Sequence, residues 1–109
     1  MENTSVDVQA GADGSLVVQP HGAMNFDTAV TLRQILVYAV RKVRPVRLVL
    51  DLSDVSAMDA INLGTLAALC DLADDHHVAV SMENYSATVG GLLTAAGVPP
   101  QRLRSETAA

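Results

Sequence analysis

The stretch from Leu48 to Gly64, LVLDLSDVSAMDAINLG, constrains the fold of this chain more than any other segment. Val46, Leu48, Leu50 and Leu52 alternate with their neighbours, which predicts an extended strand. Val49 makes the second side partly apolar too, the pattern of a strand buried on both faces in a sheet covered by helices. Asp54, Ser56 and Asp59 then read as a short polar loop. From Ala60 the apolar spacing lengthens to three and four residues, with Leu63, Leu66, Ala67, Cys70 and Ala73 on one face of a helix over about residues 60–75. Val78, Val80 and Met82 form the next strand. A strand–helix–strand unit of this kind requires a parallel pair joined by a right-handed crossover.

The rest of the chain fits around that unit. Val6 and Val8 alternate with Asp7 and Gln9 over residues 5–9, and Leu16-Val17-Val18 starts a second strand after a turn from Gly11 to Gly14. Two strands so closely joined form a hairpin, ended by Pro20, His21 and Gly22. From Asp27 a helical period carries Ala29, Leu32, Leu36, Ala39, Val40 and Val43; Asp27 or Thr28 can cap its start, and Pro45 stops it. Ser86 caps a third helix with Val89, Leu92, Leu93 and Ala96, closed by Gly97 and Pro99. Residues 102–109 form a tail with a short strand around Leu103. The expectation is one α/β domain over residues 1–109, with its core at about 5–98. Its mixed β-sheet carries an N-terminal hairpin and about three to four packed helices, in the order β-β-α-β-α-β-α.

Composition narrows the function. A chain of 109 residues suits one domain, and a hydrophobic fraction of 50% with only 3% aromatics makes the core aliphatic. The net charge of −5 argues against direct nucleic-acid binding, which requires neutralising phosphates. Arg41, Lys42, Arg44 and Arg47 are nonetheless clustered, either as cations at a helix C-terminus or as a docking patch for an acidic partner. The single cysteine, Cys70, excludes an intramolecular disulfide and fits a reducing compartment as a buried thiol. No apolar run approaches the ~20 residues that span a bilayer, and MENTSVDV lacks the features of a signal peptide. A cytoplasmic protein without membrane association is expected. His76-His77 lacks the i, i+4 spacing of a metal pair, Gly90-Gly91 belongs to no phosphate loop, and no catalytic arrangement is suggested. The chain therefore reads as a non-enzyme without cofactor or metal.

Several segments, in order over roughly residues 14–98, resemble the STAS domain of bacterial anti-sigma-factor antagonists. Gly22-Ala23-Met24-Asn25 lies where that family often has Gly-Glu-Leu-Asp. Leu48 to Asp54 matches an apolar strand ending in Asp-Leu-Ser, Asp59 and Gly64 match the loop aspartate and a helix glycine, and Gly97-Val98 matches a closing pair. The resemblance implies a protein that sequesters an anti-sigma factor, often a serine kinase, and so frees a sigma factor. It places the docking surface at Met24, Asn25, Asp59, Ala60, Ile61 and Asn62. In the family, two hydroxyl residues and a glycine follow the loop aspartate, and one hydroxyl accepts phosphate. Here Ala60, Ile61 and Asn62 follow Asp59, so the family position holds no phosphoacceptor, and Asn25 stands where a second acid is common. Ser53, Ser56, Thr65, Thr88 and Thr94 remain as other hydroxyls. Asp59 can cap the second helix, alone or with a partner contact, and Ile61 is either core or an exposed anchor. A homodimer is compatible with the sequence. So are a non-switching scaffold or oligomerisation module and a domain sensing a nucleotide or lipid.

Overall fold

The computed structural model describes residues 6–104. Strands β1 (Val6–Ala10) and β2 (Ser15–Pro20) form the antiparallel hairpin, with Val8 opposite Val18. Its turn is held by Asp13, whose Oδ1 accepts from the Ser15 amide (3.1 Å) and hydroxyl (2.6 Å), while Gly14 supplies a left-handed φ of 86°. The hydroxyl bond chiefly, then the amide, keeps the Asp13 carboxyl below its usual range. Parallel pairing then adds β4 (Arg47–Asp51) to β2, β6 (Ala79–Glu83) to β4 and β7 (Leu103–Arg104) to β6, giving the order β1-β2-β4-β6-β7. This is the mixed α/β sheet the alternation predicts. Of the expected tail, Leu103 pairs with Met82; residue 5 and residues 105–109 lie outside the described residues.

Three α-helices follow their periodicity: α1 (Phe26–Tyr38), α2 (Ala60–Asp75) and α3 (Ala87–Ala95). Leu32 and Leu36 of α1, Leu66 and Leu69 of α2, and Val89 and Leu93 of α3 share one core with Val18, Leu48, Leu50, Val80 and Met82. All three helices therefore cover the same face of the sheet. The other face carries Gln19, Arg47, Asp51, Ala79 and Glu83, none of them buried. The expectation of helices on both faces is thus corrected. Val49 is buried because its register neighbours Val17 and Ser81 flank it, not because a helix lies over it.

Helix boundaries differ from the sequence reading in two places. The cap of α1 is Asn25, not Asp27 or Thr28. The Asn25 Oδ1 accepts from the Asp27 amide (3.0 Å), and Thr28 Oγ1 accepts from the Asn25 amide (3.2 Å), a reciprocal box that starts the helix ahead of either expected cap. At its far end α1 widens into a π-helical turn over Ala39–Val43. Arg44 precedes Pro45 and is disfavoured in the α region; it takes a left-handed φ of 52°, and its amide reaches back to the Ala39 carbonyl (2.8 Å).

The loop expected through Asp54, Ser56 and Asp59 contains a strand, β5 (Val55–Met58), which pairs in parallel with β3 (Gly22–Met24) in a separate two-stranded ribbon. Both were missed because each is too short to show a period. Among the described residues, no helix is long and apolar enough to cross a membrane.

Candidate functional site

The β3–β5 ribbon sets two helix heads side by side. At the end of the ribbon the Asp59 amide donates to the Met24 carbonyl (2.9 Å), so the residues entering α1 and α2 are tied together. Asn25 caps α1 and Asp59 caps α2, the latter accepting from the Asn62 amide (3.0 Å). Asn62 fastens the two heads. Its Nδ2 donates to the Asn25 carbonyl (3.0 Å) and to Asp59 Oδ1 (2.9 Å), and the side chain is fully buried. Its Oδ1 finds no partner among the described residues. Thr28 completes the frame by donating from Oγ1 to the Asn25 carbonyl (2.9 Å).

Six residues form the expected docking set, and the structure brings them together but not all to the surface. Asn25, Ala60 and Ile61 are exposed, and Asp59 is half-buried. Ile61 retains 50% of its surface, so it stands outside the core. Met24 (1%) and Asn62 (0%) lie beneath, which corrects their placement on the surface. Met24 turns inward at the end of β3, and Asn62, in the first turn of α2, faces the head of α1. No hydroxyl stands at residues 60–62; Ser56 on β5 is exposed and Thr65 is half-buried. Phe26 and Val30 also stand exposed on α1, at 67% and 55%. Their i, i+4 spacing off the Ala29–Leu32–Leu36 stripe was the signal available for them.

The opposite end of the ribbon is charged. The Gly22 amide donates to the Asp54 carbonyl (2.8 Å), and beside it His21 sits between two carboxylates. Nδ1 lies 2.5 Å from Asp54 Oδ2 and Nε2 lies 2.8 Å from Asp7 Oδ2. Both partners are acceptors, so this geometry favours the imidazolium form, which carries both N–H groups. The Asp54 bond first, then the Asp7 bond, raises the His21 pKa above 6.5. Burial works against ionisation of nearby Asp51, yet hydrogen bonds from Ser53 and Asn84 hold its carboxyl below the usual value. In the sequence His21 stands only as a strand end, and its partners lie 14 and 33 residues away. Cys70 is buried as expected, and burial pushes its thiol up.

Fold and site together define a small α/β domain that presents two capped helix heads at one end of a one-sided helical layer. The STAS domain family model matches residues 4–102, and the chain belongs to that family. Its fold is similar to an anti-sigma factor antagonist from Mycobacterium paratuberculosis, at 23% identity, 97% of this chain, 88% of that chain and a TM-score of 0.78. It is also similar to the Bacillus cell fate determinant SpoIIAA in the phosphorylated form (12% identity, 95% and 93% covered, TM-score 0.77). The SulP transporter STAS domain from Vibrio cholerae shares the fold as well (21% identity, 88% and 76% covered, TM-score 0.64). No curated protein matches the chain.

Proposed function

We propose that this chain is a bacterial, cytoplasmic regulator acting by protein–protein contact, an anti-sigma-factor antagonist-like protein that binds an anti-sigma factor without a phosphate switch at the head of α2. The observation that carries this reading is the exposed Ile61 beside Ala60, on a frame fixed by Asp59, Asn62 and Asn25. A phosphate at that point would add nearly two charges and repel a docked partner. Ala60 and Ile61 have no atom to accept it. Covering the exposed half of the isoleucine instead contributes ~1 kcal/mol, about half of what full burial of such a side chain gives. Family membership and the fold shared with anti-sigma factor antagonists support an anti-sigma factor as the partner. Binding, not catalysis, is the activity proposed.

The test is incubation with the anti-sigma factors of the native cell and ATP, followed by intact-mass measurement and titration calorimetry. The expected result is binding with no added phosphate and an affinity unchanged by ATP. Stoichiometric phosphate on Ser53, Ser56 or Thr65 with release of the partner would show that the switch has moved. Absence of binding to every anti-sigma factor would leave a non-switching scaffold as the better reading.

A further inference from the structure

A groove of about 430 Å³ runs between α1 and α2, starting at Ile61. Leu36 and Val37 form one wall, Ala68 and Leu72 the other, and Gly64 opens its side. Arg33 stands on the rim. A second trough of about 330 Å³ shares Arg33 and Val37 with the first and continues along α1 to Arg41 and Lys42. The apolar groove is thus bordered by Arg33, and Arg41 and Lys42 line the adjoining trough that Arg33 and Val37 share with it. None of the three forms an ion pair among the described residues, whereas Arg102 pairs with Asp74 and Arg44 donates to the His76 carbonyl (3.5 Å). The helix dipole accounts for Arg41 and Lys42 near the end of the helix but not for Arg33 in the middle of α1.

Gly64 adds an independent sign. It lies inside α2 with no left-handed φ, and nothing lies within 4 Å of the Cβ it lacks. Glycine weakens a helix interior relative to alanine, and the packing of this fold does not require it. Its effect is to deepen the channel.

We propose that the α1–α2 groove docks an acidic amphipathic helix of a partner protein, with apolar side chains in the channel and carboxylates against Arg33, Arg41 and Lys42. Two helix ridges with a trough between them match a third helix, read through anchors three and four residues apart. The row of uncompensated cations on a chain of net charge −5 selects carboxylates on the incoming helix and sets its orientation. A flat anionic bilayer fits less well, because the apolar surface is recessed and the protein as a whole repels it. The groove proposal does not rest on the anti-sigma reading; Ile61 alone is common to both surfaces.

The probe is a synthetic helical peptide of about 18 residues, or five turns, with leucines on one face and glutamates on its flanks. It is titrated into the full chain and followed by amide chemical shifts. Saturable binding should perturb Arg33, Gly64 and Ala68. Arg33→Glu with Arg41→Glu should weaken it at least ~10-fold, as should Ala68→Glu at an exposed position, and a peptide with lysines for the glutamates should lose as much. Thermal melting of each variant should match the parent, so that lost binding is not lost folding. No binding of the acidic peptide, or equal binding by the charge-reversed variant, overturns the proposal. Saturation of the same residues by phosphatidylglycerol vesicles, or by self-association abolished in Ala68→Glu, replaces the occupant with lipid or a second copy and overturns it too. Because Ala68→Glu lies away from the helix heads, anti-sigma binding that survives it separates failure here from failure of the proposed function.

Discussion

The two ends of the β3–β5 ribbon are closed by different chemistry. At one end His21 gathers the carboxylates of Asp7 and Asp54, joining β1 to the approach to β5 through a proton. At the other end the joints are the Met24 carbonyl, the Asn62 amide and one carboxylate, Asp59, with no imidazole among them. The first clamp is partly open to water and loosens as the ring loses its proton. The second is centred on a fully buried side chain and depends on hydrogen-bond geometry. A short ribbon that cannot stabilise itself is therefore pinned twice, and the end proposed to meet a partner is the one whose hold does not depend on a histidine.

The strongest way to break this contrast is Asn62→Asp. It places a second carboxylate against Asp59 in a buried position and should cost ~3–5 kcal/mol at neutral pH, read by urea unfolding. Much of that loss should return in acid, where the new carboxyl is protonated. A cost below ~1 kcal/mol would mean that the fastener is not buried as described.

Asp59→Ala removes the α2 cap and one of the two acceptors of Asn62 Nδ2, and should lose ~1–2 kcal/mol. Asp59→Asn keeps an acceptor and should lose only a few tenths. Equal losses would show that the charge, not the hydrogen bond, holds this end.

The charged end should respond to pH instead. The folded-state pKa of His21 is raised above 6.5, so the clamp contributes fully below that value and is lost as pH rises through the folded-state value. Asp7, Asp54 and the more distant Asp51 are the charges that face the ring. The melting-temperature difference between parent and His21→Gln should therefore shrink as pH is raised from below 6.5 into the alkaline range. A difference that grows with pH would sink the imidazolium assignment.

The smallest expected effect on stability is that of Ile61→Asp. The side chain is exposed, and an acid in the first helical turn suits the dipole, so folding should change by no more than ~0.5 kcal/mol. Partner binding should fall at the same time. Unfolding by this variant would return Ile61 to the core.

Legibility followed the range of the interactions. The three helices were readable because Leu32 and Leu36, Leu63 and Leu66, and Val89 and Leu93 repeat within a turn or two. The Asp59 cap was readable because its acceptor and the Asn62 amide are three residues apart. The cap of α1 was misplaced because Asn25, Asp27 and Thr28 are all suitable cap types; only the hydrogen-bond pattern selects among them. Val49 misled for a related reason. An apolar residue on the open face of a sheet can be covered by its strand neighbours, and a periodic pattern does not distinguish that cover from a helix.

By itself the sequence determined the α/β class, the parallel crossover, the family resemblance and the absence of a hydroxyl at residues 60–62, because these depend on local period and residue identity. Tertiary structure alone decided that Met24 and Asn62 turn inward while Ile61 turns out, that β3 and β5 form a ribbon, and that His21 meets Asp7 and Asp54. Each of these depends on pairing across tens of residues. There the winning contact is set by which strands and helix heads the fold brings within hydrogen-bond reach, and no periodicity encodes that choice.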